Sequence, residues 1–244
     1  VGGPYFFTAE FLDREMQSIL LTESQVVLIR RRAQRYGLEI LEKLRAAGLP
    51  EDLFYVALVE SALRDTVFSS AGAAGMRQFM PETARRFGLR VDSEIDERLD
   101  RRKSTDAAIE YFQVLHGKFD SRTLAAAAYN RGENGLQRDL NGQFVEDFYD
   151  SWLNAETRRY VFRILAMKEI MENIDHIFTP EELGQGYEPP LVKEIRVEGP
   201  VANLAERAAA EGVKLPELKV LNPWIVGWSL PAGTRELRVA RFRD

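Results

Sequence analysis

Apolar residues recur at helical spacing through about the first 180 residues, and this pattern most constrains how the chain can fold. One predicted helix has an apolar face at i, i+4, i+7 and i+11, formed by Ala108, Phe112, Leu115 and Phe119. Another, which Asn154 can cap, has an apolar stripe of Tyr160, Ile164, Met167 and Met171. The sequence therefore predicts a mainly α fold for this part of the chain.

The sequence changes character after the helical part, where Pro and Gly become frequent. Residues 179–190 indicate a linker, because these residue types break helices and strands. Beyond the linker, residues 191–198 and 235–241 partly alternate as strands do, and Pro200 and Pro216 can open two helices between them. The order strand, helix, helix, strand predicts a small α+β (βααβ) module at the end of the chain.

Composition and charge exclude several classes of function. The chain has no cysteine, which removes disulfides, thiolate metal sites and cysteine nucleophiles. Its two histidines, His116 and His176, lie far apart, so we expect neither a Ser-His-Asp apparatus nor a multi-histidine metal site. The net charge of −5 argues against a nucleic-acid partner, and no apolar run approaches the roughly 20 residues of a membrane helix. We predict no metal and no cofactor.

A single carboxylate follows a strongly apolar predicted helix. Residues 53–59 are all nonpolar or aromatic, which predicts a helix buried on nearly all sides. Glu60 lies at i+4 from Val56 and i+3 from Ala57, so it projects from an apolar face. Burial disfavours the charged carboxylate and raises its pKa toward the range of a general acid for glycosidic bonds. The alternative is that Glu60 emerges into solvent and pairs with Arg64.

Two further segments combine small residues with polar side chains. Residues 69–81 are rich in Gly, Ala and Ser, which lets backbone approach a ligand, and Gln78 offers a donor and an acceptor for sugar groups. In residues 126–132, Tyr129 and Asn130 follow a run of alanines that allows close helix packing. The alternatives are a tight loop between helices for the first segment, and a core tyrosine before a helix-ending asparagine for the second.

Taken together, these segments resemble soluble lytic transglycosylase (SLT) catalytic domains, in which similar motifs occur in the same order. The matching stretches are ES at 60–61, AGAAGMRQFMPETA at 71–84, DERLD at 96–100, AAYNRGE at 127–133 and ETRRYV at 156–161. They look most like the membrane-bound lytic murein transglycosylase D type, over about residues 38–175. The tail is similar to LysM modules at residues 221–223 and 230–233.

The resemblance implies a domain layout, an activity and a location. The implied domains are an N-terminal helical extension at 1–37, a lysozyme-like helical catalytic domain at 38–178, the linker at 179–190 and a LysM-like module at 191–244. The implied enzyme is a lyase that cleaves the β-1,4 bond between N-acetylmuramic acid and N-acetylglucosamine in peptidoglycan strands and leaves a 1,6-anhydromuramoyl end. It would be a monomer in the periplasm or cell envelope. Whether a lipid upstream of Val1 anchors it to the outer membrane stays open.

The resemblance also implies a role for each motif residue. Glu60 acts first as an acid toward the leaving oxygen and then as a base toward the muramoyl C6 hydroxyl, and the hydroxyl of Tyr129 orients it. The implied substrate-binding residues are Ser61, Met76, Arg77, Gln78 and Asn130.

Two cations depart from the family pattern and leave alternatives open. Arg77 stands where Trp or Met is usual, and Arg131 stands where a small residue is common. One explanation is neutral substitution at the protein surface. The more specific hypothesis is that the two arginines bind carboxylates of stem peptides or of muramoyl lactyl groups. Altered subsites would also fit a non-catalytic peptidoglycan-binding scaffold on the same fold. A hydrolytic, lysozyme-like muramidase is the third class that the sequence leaves open.

Overall fold

The chain forms two compact units in the computed structural model. The structure describes Tyr5 and residues 7–241, so part of the predicted N-terminal extension, residues 1–4 and 6, lies outside the described residues. We call the two units the helical unit, made of Val1–Leu63 and Ala108–Tyr187, and the mixed unit, made of Arg64–Ala107 and Glu188–Asp244.

Helices make up most of the described chain. They are α1 (Phe7–Leu20), α2 (Glu23–Ala46), α3 (Leu53–Ser61), α4 (Pro81–Arg86), α5 (Arg101–Phe119), α6 (Arg122–Arg131), α7 (Glu133–Gln143), α8 (Ala155–Glu172), α9 (Ile174–Ile177), α10 (Pro180–Leu183), α11 (Leu204–Ala210) and α12 (Leu215–Leu221). The strands β1 (Val192–Val201) and β2 (Leu230–Ala240) form an antiparallel pair. The predicted fold class, mainly α followed by a small α+β module, is confirmed. None of the described helices is both long and apolar enough to cross a membrane.

The apolar run predicted to be buried forms α3. Its side chains at Phe54, Val56, Ala57 and Leu58 are buried, and the helix packs against α2 and α8. Ala62 ends α3 in the left-handed conformation, with its backbone N–H donating to the carbonyl of Leu58 at 2.9 Å. The last turn of α3, which carries Glu60, therefore lies where α8 can reach it.

The mixed unit has its own hydrophobic core, which joins the end of the chain to residues 74–99. Its buried members include Ala74, Ile95, Leu99, Val197, Leu204, Leu218 and Leu237. Two backbone hydrogen bonds of 2.9 Å tie the segments together, from the N–H of Asp96 to the carbonyl of Trp224 and from the N–H of Val226 to the carbonyl of Glu94.

The predicted layout, in which residues 191–244 form a module of their own, stays a prediction, and the shared core bears on how such a module would be stabilised. A two-stranded sheet with two short helices buries only a small apolar surface, so further cover adds to its stability. Residues 74–99 supply such cover in this structure. No local pattern predicts this pairing, because it joins segments more than one hundred residues apart, as the bridge between Ile95 and Ile225 illustrates.

A buried arginine organises the loop before α4. The guanidinium of Arg98 pairs with Asp96 at 2.7 Å and donates to the carbonyls of Gly72 and Phe79 at 2.8 and 3.0 Å. The chain at Gly75 has φ of +78°, and a Cβ there would lie 1.9 Å from the carbonyl oxygen of Arg98. Position 75 therefore requires glycine for both conformation and space.

We expect Gly75→Ala to lower the free energy of unfolding by about 3 kcal/mol, because it combines a left-handed backbone with a steric clash. Gly72→Ala is the matched control, since Gly72 has φ of +90° but nothing within 4 Å of an added Cβ. The control should lose only about 1 kcal/mol. Urea unfolding measures both values, and equal losses would contradict the proposed clash with Arg98.

Candidate active site

Glu60 is held at the end of α3 by a phenol from α8. The hydroxyl of Tyr160 donates a hydrogen bond to Oε1 of Glu60 at 2.6 Å. Tyr160 itself is buried, whereas Glu60 is only half-buried and keeps access to solvent. A short hydrogen bond of this kind fixes the orientation of a carboxyl group. The packing of α3 on α8 thus presents one oriented carboxyl group at the protein surface.

A cavity of about 480 Å³ opens beside this carboxyl group. Its lining consists of Val59, Glu60, Asn130, Ala155, Glu156, Arg159, Tyr160 and Arg163. These residues come from α3, from α6 and from the first turns of α8. The cavity therefore has the acid that the sequence predicted, an amide, and charged groups of both signs.

Asn130 is oriented by the first turn of α8. Its Oδ1 accepts a hydrogen bond from Oγ1 of Thr157 at 3.0 Å. Thr157 is itself placed by the cap of α8, where Oδ1 of Asn154 accepts from its backbone N–H at 2.9 Å. The structure thus brings the predicted Asn130 to the same cavity as Glu60, where its amide can hydrogen-bond a ligand.

The residue that holds Glu60 was missed by the sequence analysis. The spacing of Tyr160 places it in the apolar stripe of its helix, and its ring does belong to the core. The only signal available was the ETRRYV stretch at 156–161, which contributes to the resemblance but lies beyond the matched residues 39–150.

The ring of Tyr129, the predicted orienting residue, packs on two other aromatic rings. The ring stacks on Phe112 with 4.6 Å between centroids and an interplanar angle of 5°. Tyr111 lies against it as well, with centroids 5.4 Å apart. These ring contacts are compatible with the alternative of a core tyrosine, although Tyr129 is only half-buried. The proposed action of its hydroxyl on Glu60 stays a prediction.

The other predicted residues lie in varied settings. Ser61 is buried on α3, and its hydroxyl donates to the carbonyl of Ala57 at 3.3 Å, as serines inside helices often do. Arg131 is ion-paired with Asp139, with Nε 2.8 Å from Oδ2. This pairing offsets the cation that the sequence analysis considered for carboxylate binding.

Met76, Arg77 and Gln78 lie in the mixed unit and hold its loop together. Met76 is buried, and Arg77 is only 2% exposed, with Nη2 donating to Oγ1 of Thr105 at 3.2 Å. Nε2 of Gln78 donates to the carbonyls of Val67 and Gly75 at 3.2 and 2.8 Å. Substrate binding by these three residues stays a prediction, and the burial of Met76 and Arg77 argues against direct contact.

Comparison with known proteins agrees with the motifs. Residues 39–150 match the family described as transglycosylase SLT domain. Over 223 residues the chain is 30% identical to membrane-bound lytic murein transglycosylase D of Escherichia coli, covering 89% of this chain and 49% of that protein. It is 31% identical over 120 residues to the soluble lytic murein transglycosylase of Escherichia coli, covering 46% of this chain and 19% of that protein.

A solved structure is also similar to part of the chain. It is that of an inactive variant of the lytic transglycosylase Slt from Pseudomonas aeruginosa. The match covers 61% of this chain and 25% of that one, at 26% sequence identity and a TM-score of 0.47.

The chain therefore contains a transglycosylase SLT domain. It is a homologue of membrane-bound lytic murein transglycosylase D, the type that its motifs indicated, and it spans 49% of that relative's length. The likeness of the tail to LysM modules stays a prediction.

Proposed function

We propose that this chain is a peptidoglycan lytic transglycosylase that cleaves the bond between N-acetylmuramic acid and N-acetylglucosamine without water. The observation that carries the proposal is the carboxyl group of Glu60, held by Tyr160 at 2.6 Å in a cavity that Asn130 also lines. The SLT match at residues 39–150 supports the same assignment.

In the proposed mechanism, one carboxyl group acts twice. Glu60 gives its proton to the glycosidic oxygen as the bond from that oxygen to C1 of the muramoyl residue breaks. The C6 hydroxyl then attacks C1 and gives its proton to the Glu60 carboxylate, which restores the acid. No water is consumed, so the muramoyl product is a 1,6-anhydro ring. The acetamido group of the substrate stabilises the positive centre at C1 in place of a second carboxylate.

The wider assignments belong to the same proposal. The substrate is a peptidoglycan glycan strand, the protein works as a monomer in the periplasm or cell envelope, and the tail binds glycan. The homologue's name, which describes a membrane-bound enzyme acting on murein, supports the location and the substrate. The alternative for the tail is a packing role, which the core that it shares with residues 74–99 favours.

One observation favours hydrolysis as a second candidate function. Glu156 is a second carboxylate on the lining of the Glu60 cavity. A hydrolytic glycosidase uses such a partner as a nucleophile or to activate water. The product would then carry a reducing end rather than an anhydro ring.

Mass spectrometry of the products released from purified sacculi distinguishes the candidates. We expect muropeptides with anhydromuramoyl ends. Reducing ends would favour the hydrolytic muramidase. The absence of products would favour the non-catalytic scaffold, and either result would overturn the proposed activity.

A further inference from the structure

A buried acidic residue of α1 lies behind the candidate active site. The side chain of Glu15 is fully buried, with an exposed fraction of 0%. It accepts hydrogen bonds from Nε and Nη2 of Arg159 at 2.6 and 3.2 Å, and Nε of Arg163 lies 3.5 Å away. Arg14 adds a third cation at 3.3 Å. Since α1 precedes the matched residues 39–150, the family match does not account for this cluster.

The cluster has an excess of positive charge beside the cavity. Burial opposes the charge of Glu15, but the hydrogen bond from Arg159 and the nearby guanidinium charges outweigh it, so the pKa of Glu15 is lowered. Glu15 is therefore ionised at neutral pH and offsets only one of the three cations around it. Two positive charges remain in excess.

The two arginines of α8 face both the cluster and the cavity. Arg159 and Arg163 are one turn apart on α8, Tyr160 directly follows Arg159, and all three line the cavity of Glu60. Each side chain keeps 40% of its surface exposed although Glu15 holds one edge of its guanidinium group. An arginine held in this way can still donate hydrogen bonds from its other edge.

We propose that Arg159 and Arg163, positioned by Glu15, form a subsite that binds a carboxylate of the glycan strand beside Glu60. This inference rests on the proposed function. Muramoyl residues carry such groups, either as the lactyl carboxylate of stem-free strands or as carboxylates of the stem peptide. Guanidinium groups suit both, because they bind carboxylates through charge-assisted hydrogen bonds. Glu156 also lines the cavity, but it is exposed, so water and salt screen its repulsion of an anion.

The test uses Arg163→Gln in the whole chain, because this change leaves both hydrogen bonds from Arg159 to Glu15 in place. The substrates are stem-free glycan strands and the same strands with their carboxylates converted to methylamides. We expect the variant to raise KM about tenfold on the carboxylate strands with little change in kcat, as loss of one charge-assisted hydrogen bond implies. On the methylamide strands, wild type and variant should have the same KM.

Stem-bearing strands identify the source of the carboxylate. In these strands the lactyl group is bonded to the peptide as an amide, so a KM effect there assigns the subsite to stem carboxylates. An effect confined to stem-free strands assigns it to the lactyl group. Arg138→Gln, at an exposed arginine of α7, is the matched control and should change neither KM nor kcat.

Two further variants test the positioning role of Glu15. Glu15→Gln should raise KM on the carboxylate strands as Arg163→Gln does, with circular dichroism confirming that the variant is folded. Arg163→Lys keeps the charge but not the fork of donors, so its KM should lie between those of wild type and Arg163→Gln. An unchanged KM for Arg163→Gln on both stem-free and stem-bearing strands, or an equal rise on carboxylate and methylamide strands, would overturn the subsite. Failure of the wild type to release products from any strand would instead overturn the proposed function.

Discussion

Glu60→Gln should lower the rate of product release from sacculi by about 10³-fold or more, since the substitution removes both the acid and the base of the proposed mechanism. The amide cannot give a proton to the glycosidic oxygen, yet its carbonyl can still accept the hydrogen bond from Tyr160. We therefore expect a folded protein that binds glycan strands without cleaving them. The measurement is the initial rate of release of soluble muropeptides, quantified by chromatography.

The chain offers a matched control for this substitution. Glu172 of α8 accepts a hydrogen bond from the hydroxyl of Tyr55 on α3 at 3.2 Å, so it forms the same kind of pair between the same two helices. It does not line the cavity of Glu60. Glu172→Gln should keep wild-type turnover. Normal release of products by Glu60→Gln would contradict the catalytic assignment.

Tyr160→Phe should lower kcat by about tenfold to a hundredfold with a smaller effect on KM. The substitution removes the hydrogen bond from Tyr160 to the carboxyl group of Glu60, which is charged or becomes charged during the reaction. Hydrogen bonds to charged groups contribute about 1.5–3 kcal/mol to the free energy of the state that they stabilise. The phenylalanine ring fills the same space in the core, so the fold should persist. Steady-state kinetics on stem-free glycan strands separate kcat from KM.

Two other phenols serve as comparisons for Tyr160→Phe. Tyr55→Phe removes the hydroxyl of the matched pair with Glu172 and should leave kcat unchanged. Tyr129→Phe tests the role that the family resemblance implied for that residue, and we expect a smaller loss than for Tyr160. Unaltered kinetics in Tyr160→Phe would show that the hydrogen bond seen at 2.6 Å does not assist turnover.

Local patterns in the sequence predicted the parts of the fold that depend on local physics. The apolar run at 53–59 predicted a buried helix, and Glu60 at its end lies beside a cavity. Alternation at both ends of the tail predicted the strands, which pair as β1 and β2. Such features follow from hydrophobic periodicity and residue propensity, which neighbouring residues determine.

Pairings between distant segments lay beyond the sequence analysis. Tyr160 has the spacing of a core residue, and only the packing of α8 on α3 directs its hydroxyl to Glu60. Glu15 and Arg159 are 144 positions apart, so no local pattern links them. The charge of Arg77 suggests ligand binding, but its burial against Thr105 depends on how the loop folds.

Whether Glu60 drives cleavage without water can be measured by digesting sacculi in water enriched in the heavy oxygen isotope. Mass spectrometry of the released fragments shows whether solvent oxygen enters the new muramoyl end. We expect anhydromuramoyl ends that contain no heavy oxygen, formed by the wild type and not by Glu60→Gln. Reducing ends that carry heavy oxygen from the solvent would contradict this expectation.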